Sequence, residues 1–273
     1  MPELAEVEFF RRRWHEAAVG TRILSVELNR KARVLRGVDV EALRDNLSGA
    51  RLTASETSGK QMLFRFGRIA WLGIHLGMTG ELSVKPRTTP RNNHDHLILR
   101  TARHALVFND PRMFGRVQLH SGTTPPEWWI RLAPPILSPE FTVAAVADFL
   151  RRRRRAPIKA VLLMQERFPG IGNWMADEIL WRARIHPRRK AGSLAEVKIR
   201  FLWRQCRRVC QMAFQTIAGK GGLLPSDLNV NIPDSWLFNH RWRRGGKCPR
   251  SGAPLAHAEI GGRTTCWCPT CQT

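Results

Sequence analysis

Residues 1–18 read MPELAEVEFFRRRWHEAA. Val7, Phe10, Trp14 and Ala18 recur at helical spacing, with Arg11–Arg13 mostly off that face, which predicts an amphipathic helix over 5–18. From residue 22 to 119 the pattern changes to short apolar runs: Ile23–Leu28, Leu63–Phe66, Ile69–His75, Leu97–Arg100, Ala105–Phe108 and Arg116–His120. Gly67–Arg68 and Thr101–His104 are short enough to be hairpin turns. One helix, Val40–Leu47, interrupts them. This half therefore reads as a β-sandwich with the N-terminal helix packed on it.

Thr123–Pro126 and Pro134–Pro135 form a proline-rich break, after which the pattern turns helical. Helices are expected over Pro139–Arg152, Ile158–Arg167 and Trp174–Ala183. Ser193-x-x-Glu196 reads as a capping box opening a long helix to about Ile217. Residues 219–235 form a Gly/Pro/Asn-rich loop, and residues 246–273 a small cysteine module. No internal repeat is visible.

The length of 273 residues suits two domains with a small appendage. With 45 Lys+Arg against 22 Asp+Glu the formal net charge is +23, and the sequence pI is near 11.5. That balance points to a polyanion, DNA or RNA. A hydrophobic content of 43% excludes wholesale disorder. No apolar run approaches the roughly 18 residues of a membrane helix, and no basic segment leads into an apolar stretch at the N-terminus. These features lead us to expect an intracellular chain without a membrane partner. Four of the six cysteines, Cys248, Cys266, Cys268 and Cys271, crowd the C-terminus. In a reducing compartment such a cluster reads first as a metal site. Cys206 and Cys210, i,i+4 in a helix, read as packing residues. The chain has ten Trp and no Tyr, a bias without a physical explanation.

Pro2 carries the sharpest chemistry. A small second residue normally permits removal of the initiator Met, which would expose a secondary amine with a pKa near the α-amino value of about 8. Such an amine is a competent nucleophile toward an aldehyde carbon. Its adduct is an obligatory iminium, cationic without protonation and therefore an electron sink. Glu3 beside it suits general acid–base work.

Residues 1–8 resemble the opening of the formamidopyrimidine-DNA glycosylase / endonuclease VIII (Fpg/Nei) family. The segments His75–Gly80 (HLGMTG), His94–His96 (HDH), Asp110–Gly115 (DPRMFG), Gly170–Asn173 (GIGN) and the terminal module follow in the family's order and approximate spacing. One departure is Ala5, where the family usually has a second proline. A complete Met/Arg/Phe set resembles the formamidopyrimidine branch more than the endonuclease VIII branch.

The resemblance implies a bifunctional DNA glycosylase/AP lyase of base excision repair, acting on damaged, oxidised bases. Pro2 would attack C1′ and expel the base, and β- and then δ-elimination would follow. Glu3 would protonate the sugar ring oxygen and shuttle protons. Glu6 either supports this site or serves only as an acid at the helix N-terminus. Lys60 would contact a phosphate beside the lesion. His75 either reaches a phosphate or is simply a buried histidine. Met78, Arg112 and Phe114 would fill the hole left by a flipped nucleotide. Asn173 would donate to phosphate at a helix N-terminus, and Arg263 would grip phosphates from a hairpin tip. Lys159 and Glu178 are weaker carry-overs.

For the cysteine module the family implies structural zinc held by paired Cys-x2-Cys motifs. Here Cys248, Cys268 and Cys271 stand in place, but Ser251 occupies the remaining position. Cys266, two residues from Cys268 along a strand, could be the fourth ligand. His257, a water, or loss of the metal are the other options.

The expected architecture is thus an α+β multi-domain chain. An N-terminal β-sandwich with its helix (1–122) leads through a linker (123–138) to a helical helix-two-turn-helix domain (139–240). A C-terminal zinc-finger-like β-hairpin follows (241–273). Damaged DNA is the partner, and a cytoplasmic, nucleoid-associated monomer of bacterial type is expected. The alternatives are an endonuclease VIII-like enzyme for oxidised pyrimidines or unusual lesions, a non-catalytic damaged-DNA-binding protein, and a zinc-ribbon RNA-binding protein. The loop at 219–235 does not match the lesion-capping loop of the formamidopyrimidine branch.

Overall fold

The computed structural model describes residues 1–219, 224–242 and 245–273. The chain forms two compact units, Met1–Leu132 and Ala133–Thr273.

The first unit opens with α1 (Leu4–Ala18). It is followed by β1 (Ser25–Leu28), a 3-10 turn at Arg33–Leu35, α2 (Val40–Leu47), and β2 (Leu52–Ser58) to β8 (Arg116–Ser121). The intervening strands are β3 (Gln61–Phe66), β4 (Ala70–His75), β5 (Glu81–Pro86), β6 (Asp95–Arg100) and β7 (His104–Asn109). They build two four-stranded antiparallel sheets, β2-β3-β4-β8 and β1-β6-β7-β5. Trp14 of α1 is fully buried, 5.3 Å from the Phe64 ring of β3, and its indole N–H donates to Ser83 O of β5 at 3.0 Å. One side chain thus fastens the helix to both sheets.

β2 and β5 were not legible in the sequence. Both are edge strands, each paired on one side only. They are largely polar (LTASETS) or end in Lys85–Pro86, the composition that edges tolerate and that hides the strand period.

The second unit is helical. α3 (Glu127–Ile130) closes the first unit, and α4 (Val143–Arg152), α5 (Ile158–Leu162), α6 (Asn173–Ala183) and α7 (Glu196–Ile217) follow. α4 starts four residues later than the sequence suggested, because Thr142 accepts the Ala145 N–H and sets the N-cap there. α5 is shorter than the expected 158–167. The chain beyond it is closed into turns by Gln165, which accepts the Gly170 N–H and donates to the Leu163 and Ile171 carbonyls. The expected Ser193–Glu196 capping box does not form: Ser193 Oγ donates to Lys190 O at 2.9 Å, and Ala195 is the N-cap of α7. Of the 219–235 loop, residues 220–223 lie outside the described residues. The chain ends in a hairpin of β9 (Ala256–Ile260) and β10 (Arg263–Trp267). Among the described residues, no helix is long and apolar enough to cross a membrane.

Asp177 of α6 organises this unit. Its carboxylate takes Lys159 Nζ at 2.5 Å, Arg241 Nη2 at 2.6 Å and Nε at 3.1 Å, and the Cys266 N–H at 3.1 Å. Asp177, Lys159 and Arg241 are all buried. Four segments therefore meet on one anion. Removing one partner of such a set leaves uncompensated charge in low dielectric. Asp177→Ala is expected to cost about 3–5 kcal/mol in urea unfolding of the second unit; a loss under about 1 kcal/mol would mean that the network is not the fastener.

Candidate functional site

Pro2 and Glu3 lie at the mouth of α1. Glu3 is the N-cap: its carboxylate accepts the Glu6 N–H, and Glu6 Oε2 accepts the Glu3 N–H at 2.6 Å, a reciprocal capping box. Glu6 thus performs the helix-terminal task, and Ala5 sits buried within the first turn. Glu3 is buried while Pro2 is half-buried.

Polar contacts along β2 set where this mouth lies. Arg11 donates to Ser55 Oγ at 2.8 Å, and one turn earlier Glu8 accepts from Thr57 Oγ1 at 2.7 Å. As α1 is followed toward its N-terminus, β2 is followed toward the turn at Gly59–Lys60. Glu8 is desolvated, which raises its pKa, but Arg11, Thr57 and Arg12 outweigh this and hold it below the usual carboxylate range. It stays anionic and keeps its grip at neutral pH.

Lys60 is half-buried on the β2–β3 turn, where Gly59 adopts φ +60°. His75 ends β4, in register with Gln61. Its pKa is lowered by burial and then by the Lys60 charge. Nδ1 accepts the Gly77 N–H at 3.0 Å. The ring is then neutral with its proton on Nε2, a hydrogen-bond donor beside a lysine.

Met78, Arg112 and Phe114 come from the two loops that carry the chain between the sheets, β4 to β5 and β7 to β8. All three are exposed. The Arg112 guanidinium lies 4.9 Å from the Phe114 ring centroid. Buried Asp110 ties the loops together: Oδ1 accepts from Thr79 Oγ1 at 2.7 Å, and Oδ2 from the Gly115 N–H at 2.7 Å. His96 Nε2 in turn meets Asp110 O at 2.9 Å. Between these contacts Met113 is forced to φ +51°, a conformation that costs a non-glycine residue. Asp110, Thr79 and His96 were not assigned roles from the sequence. The Asp-Pro turn signal was visible, but its contact with Thr79 is made only by the fold.

Asn173 and Arg263 belong to the second unit and come together there. Asn173 opens α6 after Gly172, and its Nδ2 donates to Thr264 O at 2.8 Å, next to exposed Arg263. The side-chain donor expected for a phosphate is thus engaged by the hairpin. At Gly261 an added Cβ would lie 2.7 Å from Ala160 Cβ, so the tip is seated directly on α5. Lys159 and Glu178 are buried in ion pairs, with Asp177 and Arg182 respectively. Their placement is that of framework residues.

The thiol groups of Cys248, Cys268 and Cys271 converge, all within 4.8 Å of one another. The Cys248–Cys271 sulfur separation is 3.9 Å. Tetrahedral zinc–thiolate bonds of about 2.3 Å require an edge of about 3.8 Å, so the three sulfurs fit a metal ion. Ser251 Oγ lies 3.4 Å from Cys268 Sγ. Burial pushes the Cys248 thiol up, but Ser251, the N–H groups of Arg250 and Ser251, and the Trp181 indole bring it down to about 6. Cys266 is not in the group, contrary to expectation. β10 ends at Trp267 and the chain turns at Cys268, so the strand alternation that would align 266 with 268 stops between them. His257 is also elsewhere, with Nε2 on Arg241 O at 3.0 Å. Cys206 and Cys210 are buried on α7.

Comparison with known proteins matches residues 1–117 to the formamidopyrimidine-DNA glycosylase N-terminal domain and residues 132–223 to the formamidopyrimidine-DNA glycosylase H2TH domain. The chain is 34% identical to a formamidopyrimidine-DNA glycosylase of Exiguobacterium sibiricum, covering 100% of this chain and 99% of the relative. It is 37% identical to the enzyme of that name from Symbiobacterium thermophilum, covering 100% and 89%. Among solved structures, MutM in complex with DNA containing carbocyclic 8-oxo-G is similar at TM-score 0.86, with 30% identity over the whole of both chains. Lactococcus lactis Fpg with DNA containing an abasic site is similar at TM-score 0.86 and 31% identity, covering 99% of each chain.

The closeness of the two loops is directly testable. A Cβ on Gly77 would lie 2.4 to 2.6 Å from the Phe114–Gly115 backbone, at φ +63°. Gly77→Ala is expected to cost about 1–3 kcal/mol in equilibrium unfolding; unchanged stability would mean that the loops are not in contact.

Proposed function

Because the chain belongs to the formamidopyrimidine-DNA glycosylase family, we propose that its chemistry runs through the secondary amine of Pro2, freed by loss of Met1. The protein is a DNA glycosylase of base excision repair, and AP lyase activity is part of the family. Damaged DNA is its substrate and partner. We assign it oxidised bases in duplex DNA, as a monomer in the bacterial cytoplasm associated with the nucleoid.

The Pro2 nitrogen adds to C1′ of the damaged nucleotide as the bond from C1′ to the base breaks, and the amine N–H proton leaves with the departing base. Glu3 protonates the ring oxygen, the sugar opens, and the nitrogen lone pair forms a C1′ iminium. That cation acidifies C2′–H. Loss of this proton pushes electrons to C3′ and expels the 3′ phosphate. A second elimination expels the 5′ phosphate. Every step needs a nucleophile and a proton carrier held together beside a phosphate grip. The observation that supports the reading is the placement of residues 2 and 3 at the N-terminal mouth of α1, the end of the helix that runs toward the β2 turn bearing Lys60. Lys60 and the Nε2–H of His75 would hold the neighbouring phosphate. Met78 and Phe114 would wedge into the vacated stack while Arg112 faces the orphaned base. Asn173 and Arg263 would form a further phosphate grip, its donors being the α6 N-terminus and the Arg263 guanidinium. Cys248, Cys268 and Cys271 are proposed to hold a structural zinc ion, with Ser251 Oγ or a water as fourth ligand. It would lock the hairpin that carries Arg263.

Incubation with a duplex bearing one oxidised purine is expected to give strand ends that carry phosphate on both sides of the gap. Pro2→Leu, whose bulky second residue retains Met1, should give no cleavage. Intact strands from protein confirmed to start at Pro2 would leave the damage-binding alternative. For the metal, the purified chain and Cys266→Ser should each hold one zinc per molecule by elemental analysis, and Cys268→Ser should hold far less; loss of zinc in Cys266→Ser would return that residue to the ligand set.

A further inference from the structure

The arginines around the 3-10 turn at Arg33–Leu35 divide into two kinds. Arg30 and Arg44 both pair with Glu41. Arg33, Arg36 and Arg116 make no ion pair among the described residues, and together with Met113, Phe114 and Gly115 they line an open cavity of about 330 Å³. A 3-10 turn has three residues per revolution, so Arg33 and Arg36 project from the same side while Val34 and Leu35 are buried between them. Two guanidinium groups stacked in this way repel each other, and a third joins them from β8. An anion between them turns that repulsion into charge-assisted, bidentate bonding.

The position of the cavity identifies the anion. Gln61, His75 and Arg116 are consecutive partners across β3, β4 and β8. The end of this sheet therefore presents Lys60, then His75, then Arg116, with the arginine-bearing turn packed beyond β8. At about 4.8 Å per strand, β3 and β8 are roughly 10 Å apart. Phe114 stands in the cavity wall. Apolar wedges enter duplex DNA through the minor groove, which has one phosphate backbone on each side.

We propose that Arg33, Arg36 and Arg116 form a phosphate subsite for the strand opposite the lesion, across the Phe114 wedge from Lys60 and His75. This rests on Phe114 acting as the wedge described above. It also gives the enzyme a physical reason to require duplex: the damaged strand alone leaves the subsite empty.

The test measures binding to a duplex carrying a stable abasic-site analogue and to the damaged strand alone, each over a salt series. For Arg33→Gln/Arg36→Gln we expect duplex affinity to fall about tenfold. Its salt dependence should flatten by about 0.9 for each phosphate that is no longer neutralised, while single-strand affinity stays with the wild type. Arg30→Gln/Arg44→Gln removes the same charge from neighbouring positions and should match the wild type on both. Equal weakening on duplex and single strand, no weakening on either, or equal weakening in the control pair would each overturn the subsite. A wild type that does not prefer the abasic duplex to intact duplex would instead remove the functional reading itself.

Discussion

The buried contact between Glu8 and β2 is the constraint on which the reactive end of the molecule depends. A nucleophile at the chain terminus has no covalent anchor on one side, so its position is only as fixed as the helix that follows it. α1 is fixed twice. Trp14 fills the space between the two sheets. Glu8 takes Arg11, Arg12 and Thr57, while Arg11 also reaches Ser55. The first contact sets the depth of the helix. The second sets its register along β2, and therefore which turn of the sheet the N-terminus meets. The capping box between Glu3 and Glu6 then stiffens the last turn before Pro2.

The same device recurs. Asp110 joins the two loops that carry Met78 and Phe114. Asp177 joins α5, α6, Arg241 and the C-terminal hairpin. Acidic residues are scarce here, 22 against 45 basic ones. Glu3, Glu6, Glu8, Asp95, Asp110, Asp177 and Glu178 are buried as internal fasteners. Among the described residues, most arginines are thereby left without a carboxylate ion-pair partner. A chain that binds a polyanion gains from this division: buried acids hold the framework, and the uncompensated positive surface supplies attraction.

The amphipathic helix at the N-terminus, the exact span of α2 and six of the eight sandwich strands were legible in the sequence, because burial imposes a period on them. The edge strands β2 and β5 were not, because their composition is polar or ends in Lys85–Pro86, whereas β1 and β8, also at edges, carry a readable apolar pattern. Capping was misplaced for a related reason. Ser193-x-x-Glu196 has the right spacing, but Ser193 is already inside a 3-10 turn and its hydroxyl is spent on Lys190. The residues that touch substrate in the proposed mechanism lay in quotable motifs. Of the residues that aim them, Glu8, Thr79, His96 and Asp110 lay inside those same motifs but carried no readable role, because contacts such as Glu8–Thr57, Thr79–Asp110 and His96–Asp110 are made only by the fold; Asp177 lay outside them. Cys266 illustrates the converse: alternation along a strand is a sound rule that fails where the strand stops.

The proposed chemistry turns on a covalent iminium between the amine of residue 2 and the abasic carbon. Sodium borohydride reduces such an adduct to a stable amine. The direct measurement is peptide mass analysis of protein trapped in this way on an oligonucleotide bearing one abasic site. One DNA remnant is expected, located on an N-terminal peptide that begins with Pro2. An adduct located on a lysine, Lys60 included, or no adduct from protein confirmed to begin with Pro2, would contradict it.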